Sequence, residues 1–160
     1  VVTRAYEVCR FRAEREGMEV SLRVQPELPP TLIDERALEL ALINVMDNAV
    51  KYAKDGKRVD IQLATRTGRA IEIRVTDYGP GIPPEDHRRV FDRFVRGQSA
   101  RDRRVRGSGI GLALVKHIAQ SHGGDVWVES EEGKGCTFVI TIPVRTAAPE
   151  APERATSATV

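Results

Sequence analysis

Cysteine is scarce in this 160-residue chain: Cys9 and Cys136 stand near opposite ends, and neither sits in a recognisable pairing motif. That usage speaks against a disulfide framework and against a zinc site, and it points to a reducing, cytoplasmic setting. Long apolar runs are also missing. A membrane helix needs about 18 to 20 apolar residues, and the most apolar helical stretch is interrupted by Asn44, Asp47 and Asn48. No membrane contact is expected of this fragment. Arg4, Glu7 and Arg10 break up Val1 to Arg12, which excludes a signal peptide there. A charge excess is lacking too, because 25 Lys and Arg against 23 Asp and Glu leave a net charge of +2. So small a net charge gives no field to draw in nucleic acid directly.

What is present is the composition of a globular domain, 41% hydrophobic and 30% charged. A chain of about 150 residues buries roughly 70% of its unfolded surface, enough for one core. Residues 3–16 mix charge and apolar residues at helical spacing and stop at Gly17. Alternation marks strands at Val20–Val24, Val59–Leu63 and Ile71–Val75, the second and third forming an antiparallel hairpin, and two further strands are expected at Val126–Glu129 and Thr137–Ile142. Asp34 is placed to cap a long helix running to about Ala53, with Leu38, Leu42, Val45, Ala49 and Ala53 on one stripe. A short helical piece is expected near Glu85 to Phe91, and a third helix from about Gly109 to Gln120. Five strands and three helices give an α/β fold, a two-layer α/β sandwich with a mixed five-stranded sheet covered on one face and wet on the other. The domain spans residues 1–144. Residues 145–160 hold no Leu, Ile or Phe and read as a disordered tail.

Asn44, Asn48, Lys51 and Tyr52 share one face of the long helix, opposite the apolar stripe. Amide oxygens are hard ligands suited to Mg²⁺, and a nearby ammonium offers a point charge to phosphate; the plainer alternative is a solvated helix face. Asp77-Tyr78-Gly79-Pro80-Gly81-Ile82 follows directly on a strand. Asp77 is placed to accept from an exocyclic amine and the glycines to admit a flat ligand, unless the segment is simply a Gly-Pro turn. Gly107-Ser108-Gly109-Ile110-Gly111-Leu112 opens a helix and offers backbone N–H groups to an anion. An arginine-rich stretch rather than a strand precedes it, so it is no dinucleotide fingerprint, and no G-x-x-x-x-G-K-[ST] occurs to mark a P-loop. Between these lies Phe91-Asp92-Arg93-Phe94, followed by five arginines in residues 96–106, which form either a solvated connection or a cationic cover over phosphates.

Taken in order, N-V-M-D-N-A-V-K-Y, D-Y-G-P-G-I, F-D-R-F, G-S-G-I-G-L-A-L-V-K and H-G-G-D-V-W-V-E-S-E-E-G-K-G-C-T-F resemble the N, G1, F and G2 boxes and closing hairpin of the ATP-binding catalytic domain of sensor histidine kinases. The resemblance covers residues 1–144. It implies ATP and Mg²⁺ as cofactors, with Asn48 as the Mg²⁺ ligand and Asn44 beside it near the phosphates. Lys51 and Tyr52 would hold the triphosphate and cover the ribose side. Asp77 would read the adenine amino group, with Gly79 and Gly81 shaping the base pocket and Ile82 and Thr137 among the ATP-binding residues. Phe94 and Arg96 follow, Arg96 reaching toward the γ-phosphate. Gly107, Ser108, Gly109, Ile110, Gly111 and Leu112 would supply hinge and phosphate cradle, and residues 95–106 the ATP lid. Catalysis would fall to Asn44, Asn48, Lys51 and Arg96.

Two departures stand out. Tyr78 occupies a position where Asn is frequent. The family's phospho-accepting His, followed by an acidic residue, has no counterpart, since His87, His117 and His122 are followed by Arg, Ile and Gly. The implied partners are therefore a separate dimerisation and phosphoacceptor domain and, through it, a response regulator, with the isolated domain expected to be monomeric. A hydrolysing clamp of the same superfamily is disfavoured because its general-base Glu, four residues before the Mg²⁺ Asn, is Asn44 here, and an amide is no general base. A nucleotide-binding switch without transfer is the other alternative. The lid assignment carries its own test: hydrogen exchange across residues 95–106 should slow when a non-hydrolysable ATP analogue is added, and strong protection without nucleotide would defeat it.

Overall fold

The computed structural model describes residues 1–52, 54–93 and 109–145. Its elements follow the order α1 (Val2–Arg15), β1 (Glu19–Val24), α2 (Glu35–Tyr52), β2 (Arg58–Arg66), β3 (Ala70–Asp77), α3 (Gly111–Ser121), β4 (Asp125–Glu131) and β5 (Gly135–Pro143). Short 3-10 turns at Pro84–Asp86 and Arg89–Phe91 replace the single helical piece expected there. The sheet order is β1-β2-β3-β5-β4. Only β1 and β2 pair in parallel, joined by the α2 crossover, and the remaining pairs are antiparallel, so the sheet is mixed as expected.

The period-2 pattern decides which face is covered. Val59 and Ile61 in β2, Ile73 and Val75 in β3, Val126 and Val128 in β4, and Phe138, Ile140 and Ile142 in β5 are all buried in one core. Among the described residues three helices close over them. α1 contributes the small residues Ala5, Cys9 and Ala13 at successive turns, α2 contributes Leu38, Leu42, Val45 and Ala49 together with Met46, and α3 contributes Val115, Ile118 and Ala119. Ala53, the last residue of the expected stripe, lies outside the described residues. The opposite sheet face is polar but not wholly wet: Val139 is 0% exposed, flanked in the adjacent strands by Trp127 and Arg74. Among the described residues no helix is long and apolar enough to cross a membrane.

The covering helices are tied to one another at the end where α2 begins. Asp34 caps α2, its carboxylate accepting the Ala37 N–H at 3.0 Å. The backbone N–H of Asp34 in turn donates to His122 Nε2 at 2.9 Å, while His122 Nδ1 lies 2.8 Å from the Ile118 carbonyl. With an amide donor facing Nε2 and a carbonyl acceptor facing Nδ1, the ring accepts through Nε2 and donates through Nδ1. One imidazole thus joins the C-terminal end of α3 to the first residue before α2. Loss of the capping carboxylate in Asp34→Ala should lower stability by about 1 kcal/mol, read as a lower urea midpoint at unchanged slope; an unmoved midpoint would show that the cap adds nothing.

Candidate functional site

Antiparallel register brings the end of β3 beside the starts of β2 and β5: Asp77 pairs with Val59 on one side and with Cys136 on the other. Asp77 is 5% exposed. Its Oδ1 accepts the Gly79 N–H at 3.0 Å, and the Cys136 backbone N–H supplies a second bond. Burial pushes its pKa up to about 6, and the two backbone donors only partly offset this. Among the described residues no cationic side chain bonds to it. A carboxyl in this state has acceptor capacity left for a ligand.

Close backbone approach shapes the ground around Asp77. A Cβ on Gly135 would lie 2.1 Å from the Asp77 carbonyl oxygen, and one on Gly56 would lie 2.2 Å from that of Tyr78. Gly81, at φ +75, abuts the Glu131 carbonyl in the same manner, at 2.3 Å. Hydrogen bonds then fasten the 79–82 segment to the β4–β5 hairpin. Gly133 N–H donates to the Pro80 carbonyl at 2.7 Å, Ile82 N–H donates to Ser130 Oγ at 2.8 Å, and Ser130 Oγ donates to the Gly135 carbonyl at 2.7 Å. Farther along, Phe91 is buried edge-on against Phe138, with ring centroids 6.1 Å apart. These contacts connect residues 79–82 and Phe91 to the hairpin and the core.

α2 and the N-terminus of α3 form a second wall. Asn44 Nδ2 donates to the Leu40 carbonyl at 2.9 Å, and its Oδ1 faces Gly111, where a Cβ would lie 2.6 Å away. Only glycine lets the α3 N-terminus come this close to Asn44. Asn48, one turn on, is half-buried, and its side chain has no hydrogen bond among the described residues. Its amide oxygen therefore fits a hard cation. Lys51 is exposed and Tyr52 half-buried at the end of the helix. Gly109 takes φ +69 ahead of an exposed Ile110 and a half-buried Leu112, and α3 starts at Gly111 rather than at Gly109. The first N–H groups of α3 have no partner within the helix and carry its positive dipole end.

One expected member does not join this set. Thr137 lies on the opposite face of the sheet, its Oγ1 2.9 Å from Thr76 Oγ1, and the residue beside Asp77 is Cys136. Strand alternation is the reason, since neighbours along β5 point to opposite faces. Phe94, Arg96, Gly107, Ser108 and the 95–106 segment lie outside the described residues. Gly56, Ser130, Gly135 and Cys136 were not anticipated. For Cys136 the signal was available, because Phe138, Ile140 and Ile142 fix the parity of the inward face. For Ser130 and Gly56 there was none, because their partners lie far off in sequence.

Residues 33–146 match the family described as Histidine kinase-, DNA gyrase B-, and HSP90-like ATPase. The sensor-like histidine kinase SenX3 of Mycobacterium tuberculosis is 42% identical over 137 residues, covering 85% of this chain and 33% of that protein. The chain thus spans about a third of the length of the curated relatives it matches. Among solved structures, full-length ShkA in complex with AMPPNP superposes with a TM-score of 0.79 at 34% identity, covering 92% of this chain and 30% of that one. The mycobacterial sensor histidine kinase MprB gives 0.77 at 33% identity, covering 91% of this chain and 93% of that one.

The raised pKa of Asp77 has a signed consequence. The folded state holds this proton more tightly than the unfolded chain does, so the stabilisation is complete below about pH 4 and is lost as pH rises through about 6. The loss is on the order of 3 kcal/mol at neutral pH. Asp77→Asn keeps a neutral side chain at every pH. Its stability relative to wild type should therefore rise between about pH 4 and pH 7 in paired urea titrations, and a constant difference would refute the assigned burial.

Proposed function

The chain belongs to the Histidine kinase-, DNA gyrase B-, and HSP90-like ATPase family, and on that premise we propose that it transfers the γ-phosphoryl of ATP to a histidine on a separate dimerisation domain of a two-component sensor kinase. A response regulator would receive the group in turn. The observation that carries the reading is the buried, under-bonded Asp77 carboxyl at the end of β3, which suits the exocyclic amine of adenine. The histidine kinase relatives and the AMPPNP-bound neighbour support it.

Each wall then has a part. Gly79, Gly81 and Ile82 let the base lie against backbone beside Asp77, with Cys136 taking the place expected for Thr137. Asn44, Asn48, Lys51 and Tyr52 face the triphosphate, and the N-terminus of α3, from Gly109 through Leu112, presents backbone N–H groups to it. Mg²⁺, held by Asn48, would neutralise charge at the transferring group. Phe94, Arg96, Gly107 and Ser108 complete the assignment from the sequence. Phosphoryl transfer asks for positioning and charge neutralisation, and the incoming imidazole is the nucleophile, so the domain needs no nucleophile of its own. Asn44 offers no base to activate water, and its amide nitrogen already donates to Leu40.

Mixing the chain with ATP, Mg²⁺ and the dimerisation domain of its parent protein should yield an acid-labile phosphohistidine on the latter. Fast ATP turnover by the chain alone, with no transfer, would favour a hydrolysing clamp. Asp77→Asn should weaken ATP binding about 10- to 150-fold in calorimetry, and unchanged affinity would remove Asp77 from the base site.

A further inference from the structure

Asp77 and Tyr78 send their side chains to opposite sides of the sheet. The Asp77 carboxyl enters the core side, while the Tyr78 hydroxyl donates to Asp60 Oδ2 at 2.7 Å on the polar face. Asp60 is 9% exposed and gathers two further donors, Ser21 Oγ at 2.6 Å and Arg58 Nε at 2.9 and 3.0 Å from its two oxygens. The Arg58 guanidinium also lies 5.8 Å from the Tyr78 ring centroid. Burial alone would raise the Asp60 pKa, but the three donors outweigh it and hold the group below its ordinary value. A carboxylate anchored to β1 and β2 thus grips the residue that separates Asp77 from Gly79.

We propose that the Tyr78–Asp60 hydrogen bond is a positioning device for the base pocket, fixing the Asp77–Gly79 turn from the far face of the sheet. The Gly79 N–H bond to Asp77 Oδ1 spans Tyr78, so any rotation of the Tyr78 backbone displaces the carboxylate and its donor together. Gly56 and Gly135 stop movement on one side, pressed against the carbonyls of Tyr78 and Asp77. The phenol restrains the other. An asparagine at this position would be too short to span the distance a phenol covers to Asp60. This inference rests on the reading of Asp77 as the adenine acceptor.

Tyr78→Phe removes the hydroxyl and keeps the ring. Calorimetry with Mg²⁺-ATP should show affinity reduced about three- to tenfold, while inorganic tripolyphosphate with Mg²⁺, which carries no base, should bind as it does to wild type. Asp60→Asn should behave alike, with the double variant no worse than either single one; should Asp60→Asn fail to fold, Tyr78→Phe alone decides. Wild-type ATP affinity in Tyr78→Phe, alongside a loss in Asp77→Asn, overturns the brace and leaves the adenine reading standing. Equal losses for ATP and tripolyphosphate overturn it as well, since they mark general loosening. Unchanged ATP affinity in Asp77→Asn overturns both.

Discussion

A carboxyl buried at the end of the central strand is the constraint on which the arrangement around it depends. An ionised acid removed from water is costly unless hydrogen bonds replace the lost solvation, and among the described residues Asp77 receives two, both from backbone N–H groups. The fold supplies them by geometry: β3 runs on to residue 77, β5 starts at residue 135, and their register sets Cys136 across from Asp77. Each donor is fixed by a neighbouring peptide rather than by a mobile side chain. A strand end is suited to this, because pairing positions the group while the chain beyond it is free to turn away.

Close packing of backbone on backbone follows from that requirement. Three glycines, Gly56, Gly81 and Gly135, allow the 77–81 segment to lie against the turn after α2 and against the β4–β5 hairpin at distances no Cβ permits. Their roles differ in kind. Gly81 and Gly135 have positive φ as well as crowding, so an alanine there meets both torsional strain and collision, whereas at Gly56 collision alone applies. Ser130 joins the same junction by accepting from Ile82 and donating to Gly135, which uses its hydroxyl in both senses.

Periodicity made the architecture legible before any coordinates. Alternation located the first three strands, and the stripe from Leu38 to Ala49, with Asp34 ahead of it, located α2 and its cap. These signals are local and repeat many times along the chain. The site was legible where a motif occupies consecutive residues, as in 77–82. The fold was opaque where distant segments meet: Ile82 with Ser130 spans 48 residues, and His122 with Asp34 spans 88. Thr137 is a different case, because the information was present in the parity of β5 and the choice of the neighbouring residue went against it.

Asp60 and Asp77 show how differently two buried carboxyls in the same sheet can be partnered. Both are buried, they stand on adjacent strands at neighbouring register positions, and they face opposite sides. Asp60 has a hydroxyl, a guanidinium and a phenol donating to it and sits below its ordinary pKa, so its acceptor capacity is largely used within the chain. Among the described residues Asp77 has two amides and no cation, and it sits above its ordinary pKa. Burial is common to both; the number and charge of donors separates them. A group left short of partners in a folded chain is one whose shortage a ligand can meet. Because Tyr78 follows Asp77 directly and bonds Asp60, the satisfied acid stiffens the backbone that presents the unsatisfied one.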